Sequence, residues 1–526
     1  MVRDTSFSTR LPDHIPKSIE DAMYVAKRLG IPQLWVDQYC IDQHNPTARS
    51  ATVQSMGLIY GGAVLTIIAA GGIDASSGLP GIRGTSRAAQ SFIKVGGREF
   101  LILDDIRARV NASQWDSRGW TYQEGLLSPR RLVFTDTQMY FQCNRCHRLE
   151  ELSHGFDSFE NFCGDLGDDL RVFPRLGIGS ISASTYDRLE EYFPRNLSYA
   201  SDSLEAFEGV LDAYNTEKIS TSPRPSEMKH FYGIPLVYEE HSVRGRAFTT
   251  DSLLRGLTWG LAKPTSREFG QKQSESASQF PSWTWASYKA SFPGVKNSLV
   301  VKHCLSNALV LWKDIRVEVT HKQDGVIDFN LYDPFSDDSV LISHQTWHPT
   351  RPENDTRTAM NLTHEVLSLP SDTGLASLPS ARHYSEFQPY IDITTLVMRF
   401  WLLPSRLAMS PYRGWHYEYV KLDDRDPHDK KVVSALYLGT TVRGPDPALE
   451  PLEGFERLVF LLVAQNERQE HKRVGLWYLD CLAGDVHYDR YWGLECDFSD
   501  RIIKFMINKA KEPHVEFLWA TTTRVF

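Results

Sequence analysis

The apolar and polar positions of the first 150 residues alternate between two periods. In "IPKSIEDAMYVAKRLG", Ile15, Ile19, Ala22, Met23, Ala26 and Leu29 recur at the spacing of one helical face. Pro16 suits the first turn, and Gly30 with Pro32 closes the segment. "QLWVD" at 33–37 then reads as a short buried strand. A second helical pattern covers about 47–63, with Val53, Met56, Ile59, Tyr60 and Ala63 on one side, and "LTIIAA" at 65–70 is a continuous apolar strand. Fully apolar strands between amphipathic helices predict a parallel sheet covered by helices.

Beyond Gly71-Gly72 the pattern changes to hairpins. "SFIKVGGREFLIL" is two strands around Gly96-Gly97, and "RLVFTDTQMYFQC" a second pair turning near Asp136. Between them, "WDSRGWTYQEGLLSPRRL" carries a short helical piece ended by Pro129. "ASDSLEAFEGVLDAY" around 200–214 is an amphipathic helix with Asp202 or Ser203 as its cap. The stretches 215–230, 264–280, 333–390 and 408–432 read as loops or linkers. From about 298 the apolar runs have strand character: "IRVEVTH", "VLISH", "VVSALYLG", "LVFLLVAQ", "VGLWYLD". They follow no fixed period, so a propeller is not expected. "FPSWTWASY" alternates Trp283 and Trp285 as a half-buried strand does.

Composition narrows the class. Of 526 residues, 41% are hydrophobic and 23% charged, with a net charge of −9 and no long basic block. That length exceeds one ordinary core, and that charge does not suit a phosphate-tracking surface, so nucleic acid is not an expected partner. The longest apolar run, "ITTLVMRFWLLP", is too short for a membrane span and is broken by Arg399, and "MVRDTSFSTRLPDHIP" lacks a signal-peptide core. Seven scattered cysteines fit free thiols in a reducing compartment, and the expected location is cytoplasmic.

Two stretches concentrate chemistry. In "LWVDQYCIDQ", Asp37 sits where the predicted strand ends, with Cys40 and Gln43 in the turn beyond it. Ligands of open α/β sheets bind at that end of the strands, although a capping aspartate beside a small buried cysteine explains the residues equally well. In "RGWTYQE", Arg118, Trp120, Gln123 and Glu124 fall within seven residues. On a helix, Trp120, Gln123 and Glu124 share a face, which would set a carboxylate against an indole. Such a carboxyl has a raised pKa and suits acid–base or oxocarbenium-stabilising chemistry. The plainer alternative is a structural ion pair with Arg118, Arg130 or Arg131.

"CNRCH" at 143–147 matches a haem-attachment pattern, but nothing in the chain supplies the exported context that attachment needs. Zinc on Cys143, Cys146, His147 and Cys163 has suitable ligand types but lacks a second well-spaced pair. No cofactor is required by the sequence.

"LPDHIPKSIEDAMYVAKRLGIPQLWVDQYCIDQ", "MGLIYGGAVLTIIAA" and "SRGWTYQEGLLSPRRLVFTDTQMYFQC" resemble, in order and spacing, the fungal heterokaryon-incompatibility (HET) domain. "YASDSLEAFEGVL" and "FPSWTWASY" resemble segments that follow it. The resemblance implies a TIR- or flavodoxin-like parallel sheet, and a role in non-self recognition, innate immunity and programmed cell death. It also implies protein partners or self-association, with Asp37, Cys40, Gln43, Arg118, Trp120, Gln123 and Glu124 as motif positions. By distant analogy with TIR domains it implies NAD+ as a possible substrate, cleaved with Glu124 as the catalytic carboxylate. The family's usual opening strand has no counterpart here, so the sheet is expected to lack its first strand, either because the chain is a truncated paralogue acting only as an interaction module or because its start is placed too late. The expected organisation is a HET-like α/β domain at 1–150, a helical and irregular connection at 151–297, and a β-rich domain at 298–526.

Overall fold

The computed structural model describes residues 11–102, 104–150, 171–216 (apart from 176 and 180), 226–239, 249–261, 279–291, 299–300, 309–311, 315–322, 325–328, 387–402, 431–442, 456–481 (apart from 467) and 515–526. It divides into two compact units, Met1–Glu217 and Lys218–Phe526.

The first unit opens with α1 (Lys17–Arg28), entered from Pro16 and left through Gly30 at φ +70°. Its inner face is Asp21, Val25 and Ala26, so the predicted apolar stripe is shifted, and Met23 and Leu29 lie exposed. A buried carboxylate causes the shift. Asp21 pairs with Lys17 and accepts from Leu79 N and Thr85 Oγ1, both at 3.0 Å, tying α1 to the distant loop at 79–85. Burial works against the ionised Asp21, but these three partners outweigh it and hold the carboxyl below its ordinary value.

The strand expected at 33–37 does not form. Residues 31–36 run outside any ladder, and Asp37–Cys40 is a one-turn helix, α2. The apolar side chains there are half-buried by packing instead: Trp35 meets Tyr60 edge-to-face at 6.0 Å in a cluster with Ile41, Met56, Trp120 and Leu127. The single helix expected over 47–63 is two, α3 (Pro46–Gln54) and α4 (Met56–Gly62). Asn45 Oδ1 caps the first through Ala48 N, and the break falls at Ser55, whose hydroxyl donates back to Ala51 O.

β1 (Thr66–Ala69), β2 (Phe92–Val95) and β3 (Arg98–Leu101) fall where the pattern puts them, the last two joined through Gly96 and Gly97 at positive φ. α5 (Ile106–Asn111), α6 (Trp120–Leu127), β4 (Arg130–Phe134), β5 (Met139–Cys143) and β6 (His147–Leu149) follow. The sheet order is β1-β4-β5-β6. Only β1–β4 is parallel; β4–β5 and β5–β6 are antiparallel, so the parallel sheet expected for this region is realised in one pairing. A two-period register divides its faces: Ile67, Leu132 and Met139 pack with Val25, while Ile68, Val133 and Tyr140 pack with Ile106 and Val110.

α7 (Ile181–Tyr192), a short 3-10 turn at Ala200–Ser203 and α8 (Glu205–Thr216) complete the unit. Arg131 fixes α6 to the sheet. Its buried guanidinium donates to Gly125 O and to Leu126 O, carbonyls of the last helical turns, and lies over the Phe173 ring at 4.9 Å.

In the second unit, β7 (Ser226–Phe231) and β8 (Ile234–Glu239) form a hairpin, so part of the 215–230 stretch read as loop is strand. α9 (Thr249–Gly256), β9 (Gly260–Leu261), α10 (Trp285–Ser291) and β10 (Leu299–Val300) follow, with β9 and β10 paired. Trp283 and Trp285 are buried, but on the way into a helix: the Nε1 of Trp285 donates to Gly233 O at 2.8 Å, and Trp283 stacks on Phe231 at 5.5 Å.

β11 (Leu309–Leu311), β12 (Arg316–His321), β13 (Gly325–Asp328), β14 (Phe387–Leu402), β15 (Lys431–Val442), β16 (Glu456–Gln465), β17 (His471–Cys481) and β18 (Val515–Val525) build the β-rich part. β15-β16-β17-β18-β14 close on themselves, because β14 also pairs with β15. The closure between β17 and β18 is a single parallel pair, His471 with Val525. The apolar run around 393–402 is therefore a barrel strand, and among the described residues no helix is long and apolar enough to cross a membrane. Arg473 is buried over the Trp259 ring at 3.7 Å and donates to Leu257 O and Trp259 O. The "VLISH" run, and the 264–278 part of the predicted linker, lie outside the described residues.

Candidate active site

α6 is a short helix whose sides do different work. Thr121 Oγ1 donates to Arg118 O at 2.8 Å and to Trp115 O, tightening the entry turn. The backbone before it is pinned to the strand-like segment at Asn196, with Gly119 N donating to Asn196 O and Asn196 N to Ser117 O, each at 2.6 Å. A Cβ on Gly119 would lie 2.5 Å from Leu197 Cδ2, so any larger residue there requires the buried Leu197 side chain to move.

From the helix so held, Glu124 projects toward the first block of the chain. Trp115 Nε1 donates to its Oε1 at 3.1 Å. Burial pushes the Glu124 carboxyl up to about 7; the Trp115 bond and the Arg118 cation pull it down, and the Asp37 charge adds to the rise. Tyr60, buried on α4, feels the same groups. Burial raises its hydroxyl far above the ordinary range, the charges of Glu124 and Asp37 reinforce this, and Arg118 opposes it. Asp37, Tyr60, Arg118 and Glu124 thus form one electrostatic cluster, bordered by Trp35 and Trp120.

The other predicted positions point elsewhere. Trp120 Nε1 donates to Asp202 Oδ2 at 2.9 Å, so Asp202 holds an indole. Gln123 is buried and its Nε2 donates to Glu205 O at 3.0 Å, which aims it at α8 and away from Glu124. Cys40 is exposed, and its Sγ accepts from Val36 N at 3.4 Å; Gln43 is exposed. Cys143 and Cys146 face each other with sulfurs 3.6 Å apart. Among the described residues no three His, Cys, Asp or Glu side chains gather as metal ligands, and Cys163 lies outside them.

Sequence reasoning missed Trp115, Tyr60 and Asp202. Trp115 and Glu124 are nine residues apart across a bend, a separation no helical or strand period reveals. It also missed a cavity of about 710 Å³ on the opposite side of α6, lined by Arg107, Arg171, Arg175, Arg188 and Arg195 together with Trp115. Two carboxyls share that lining: Asp116 pairs with Arg195, and Glu191 accepts from Tyr122 Oη at 2.7 Å. Both are pushed up by burial, against the pull of the neighbouring arginines. Glu124 does not line this cavity, but Trp115 borders it and bonds the carboxylate, so one indole joins the two places.

Residues 2–124 match the family model described as Heterokaryon incompatibility protein (HET), and the chain is a HET domain-containing protein. The matched span holds the helices around Asp37 and Tyr60 and ends on Glu124. No curated protein and no solved structure matches the chain.

Proposed function

We propose that this chain acts in heterokaryon-incompatibility signalling, as a cytoplasmic protein of fungal non-self recognition whose activation leads to programmed cell death. Its partners on this reading are other proteins or further copies of itself. The observation that carries it is the agreement between the HET match and the site: Asp37 and Tyr60, well inside the matched span, meet Arg118 and Glu124 at its end. Induced expression of the full chain in a filamentous fungus is expected to stop growth and admit a membrane-impermeant dye. Trp120→Ala, which removes the indole bonded to Asp202, is expected to abolish that effect. Full viability during wild-type expression would sink the reading.

One observation favours a second reading, an NAD+ nucleosidase. A Glu124 carboxyl poised about 7 beside Trp115 suits stabilisation of the positive charge that develops on ribose as nicotinamide departs. Arg118, whose charge acts on the same carboxyl, offers a cation for a dinucleotide pyrophosphate. Purified full chain is then expected to consume NAD+, with a loss of about 100-fold or more in Glu124→Gln. If the folded wild-type chain leaves NAD+ intact, the motif residues act as an interaction module instead.

A further inference from the structure

The incompatibility reading uses neither cysteine of "CNRCH", yet the fold sets them against each other. Cys143 ends β5 and Cys146 precedes β6, with Asn144 and Arg145 between them. Gln142 pairs with His147, so the next step of the same register puts Cys143 directly opposite Cys146, and Cys143 N donates to Cys146 O at 2.8 Å. Residues opposite each other in a hydrogen-bonded pair have Cα atoms roughly 5.5 Å apart, inside the range that a disulfide spans. The sulfurs are already 3.6 Å apart, with Cys146 N donating to Cys143 Sγ at 3.3 Å. Closing to a bond of about 2.05 Å asks only for small side-chain rotations.

The surroundings differ from those of a packing cysteine, which is usually buried. Cys146 is exposed and Cys143 half-buried, so a small molecule reaches both. The pair is also asymmetric. Burial pushes the Cys143 thiol up, but the amides of Cys146 and Arg145, the facing thiol and the Arg130 cation together outweigh it and hold the thiol below its ordinary value. Burial and the facing Cys143 push Cys146 up. One sulfur is suited to attack and the other to resolve.

We propose that Cys143 and Cys146 are a thiol–disulfide exchange site that reacts with small disulfides of the glutathione class. The Cys143 thiolate attacks one sulfur of the oxidant, forming a mixed disulfide and releasing one thiolate. Cys146 then loses its proton to water and attacks Cys143 Sγ, releasing the second thiolate, which takes up a proton. Two electrons pass from the pair to the oxidant, leaving a Cys143–Cys146 disulfide across the hairpin. A bridge between directly opposed strand residues on an exposed turn belongs with the reducible disulfides rather than the structural ones.

The test uses the full chain equilibrated with mixtures of reduced and oxidised glutathione, then alkylated and mapped by peptide mass. Expected is joint loss of both alkylation sites, with a peptide two mass units lighter, reversed by excess reduced glutathione. In Cys146→Ser, Cys143 is expected to accumulate a glutathione adduct about ten-fold faster at neutral pH than Cys146 does in Cys143→Ser. Both thiols staying open to alkylation at every ratio, or equal adduct rates in the two variants, overturns the proposal. The wild-type titration requires no substitution, so a folding defect in either variant does not confuse it.

Discussion

Glu124→Gln is expected to make the protein more stable at pH 8, although it removes the group on which the site is centred. The folded carboxyl sits at about 7 against an ordinary 4.5, so between those values the native state holds a proton that the unfolded chain releases. Stability from this group is whole below about pH 4.5 and is lost as pH rises through 7. At 1.36 kcal/mol per unit, and allowing for the side of Glu124 that solvent reaches, the loss is on the order of 2–3 kcal/mol. Glutamine keeps an acceptor for Trp115 Nε1 and carries no charge, so it escapes that loss. Calorimetry at pH 5 and pH 8 is expected to give matching melts for the two proteins at the lower value and a higher one for the variant at the upper. A variant less stable at pH 8 would make Glu124 a structural partner of Arg118, and the functional reading of the carboxylate would fall with it. A residue kept where it destabilises the fold is the pattern expected of a working group.

The second large effect is steric. A Cβ on Gly209 would lie 2.1 Å from Gln123 Oε1 and 3.1 Å from Gly57 Cα, and one on Gly57 would lie 3.0 Å from Gly209 Cα. α4 and α8 therefore meet backbone to backbone, with Gln123 of α6 wedged beside them. Gly209→Ala is expected to destabilise the first unit by about 2–4 kcal/mol, because Gln123 is buried and its amide is anchored on Glu205 O. Gly61→Ala on the same α4 supplies the contrast. Nothing lies within 4 Å of its Cβ, so it is expected to be neutral or to stabilise by up to about 1 kcal/mol. Chemical denaturation of both variants checks the pair; equal losses would show that the clash at Gly209 is relieved by easy movement of Gln123.

The β2–β3 and β4–β5 hairpins, β1 and the barrel strands β15, β16 and β17 were legible because their signals are local: a run of apolar residues, or a Gly-Gly turn such as Gly96-Gly97; β7, β14 and β18 were not read as strands. "QLWVD" misled because an apolar run shows burial, not its means. Trp35 is covered by Tyr60 and Met56 without a ladder. The stripe of α1 misled because a buried, well-bonded Asp21 took the inward position that pattern reading assigns to Met23 or Leu29. The pairing of the two motif blocks was legible in outline, since Asp37 and Arg118 do gather at Glu124. Its details were not: Trp115, Tyr60 and Asp202 reach their partners through tertiary contacts with no sequence period. The step of about 100° that sends Gln123 to α8 and Glu124 to Trp115 depends on where α6 begins, which Gly119 and its contact with Asn196 decide.

The closed ring of β14 to β18 also constrains how the protein is made. β14 finds its longest partner in β18, a strand that leaves the ribosome more than a hundred residues later. Until then β14 and β17 present unpaired backbone on two open margins, and β15 and β16 carry a half-covered apolar face. The first unit is complete in the nascent chain long before this, whereas the barrel folds only after translation has passed β18. A chain cut short of Val515 is therefore expected to leave the margins of β14 and β17 open and to aggregate through the second unit, which sedimentation of the truncated chain checks.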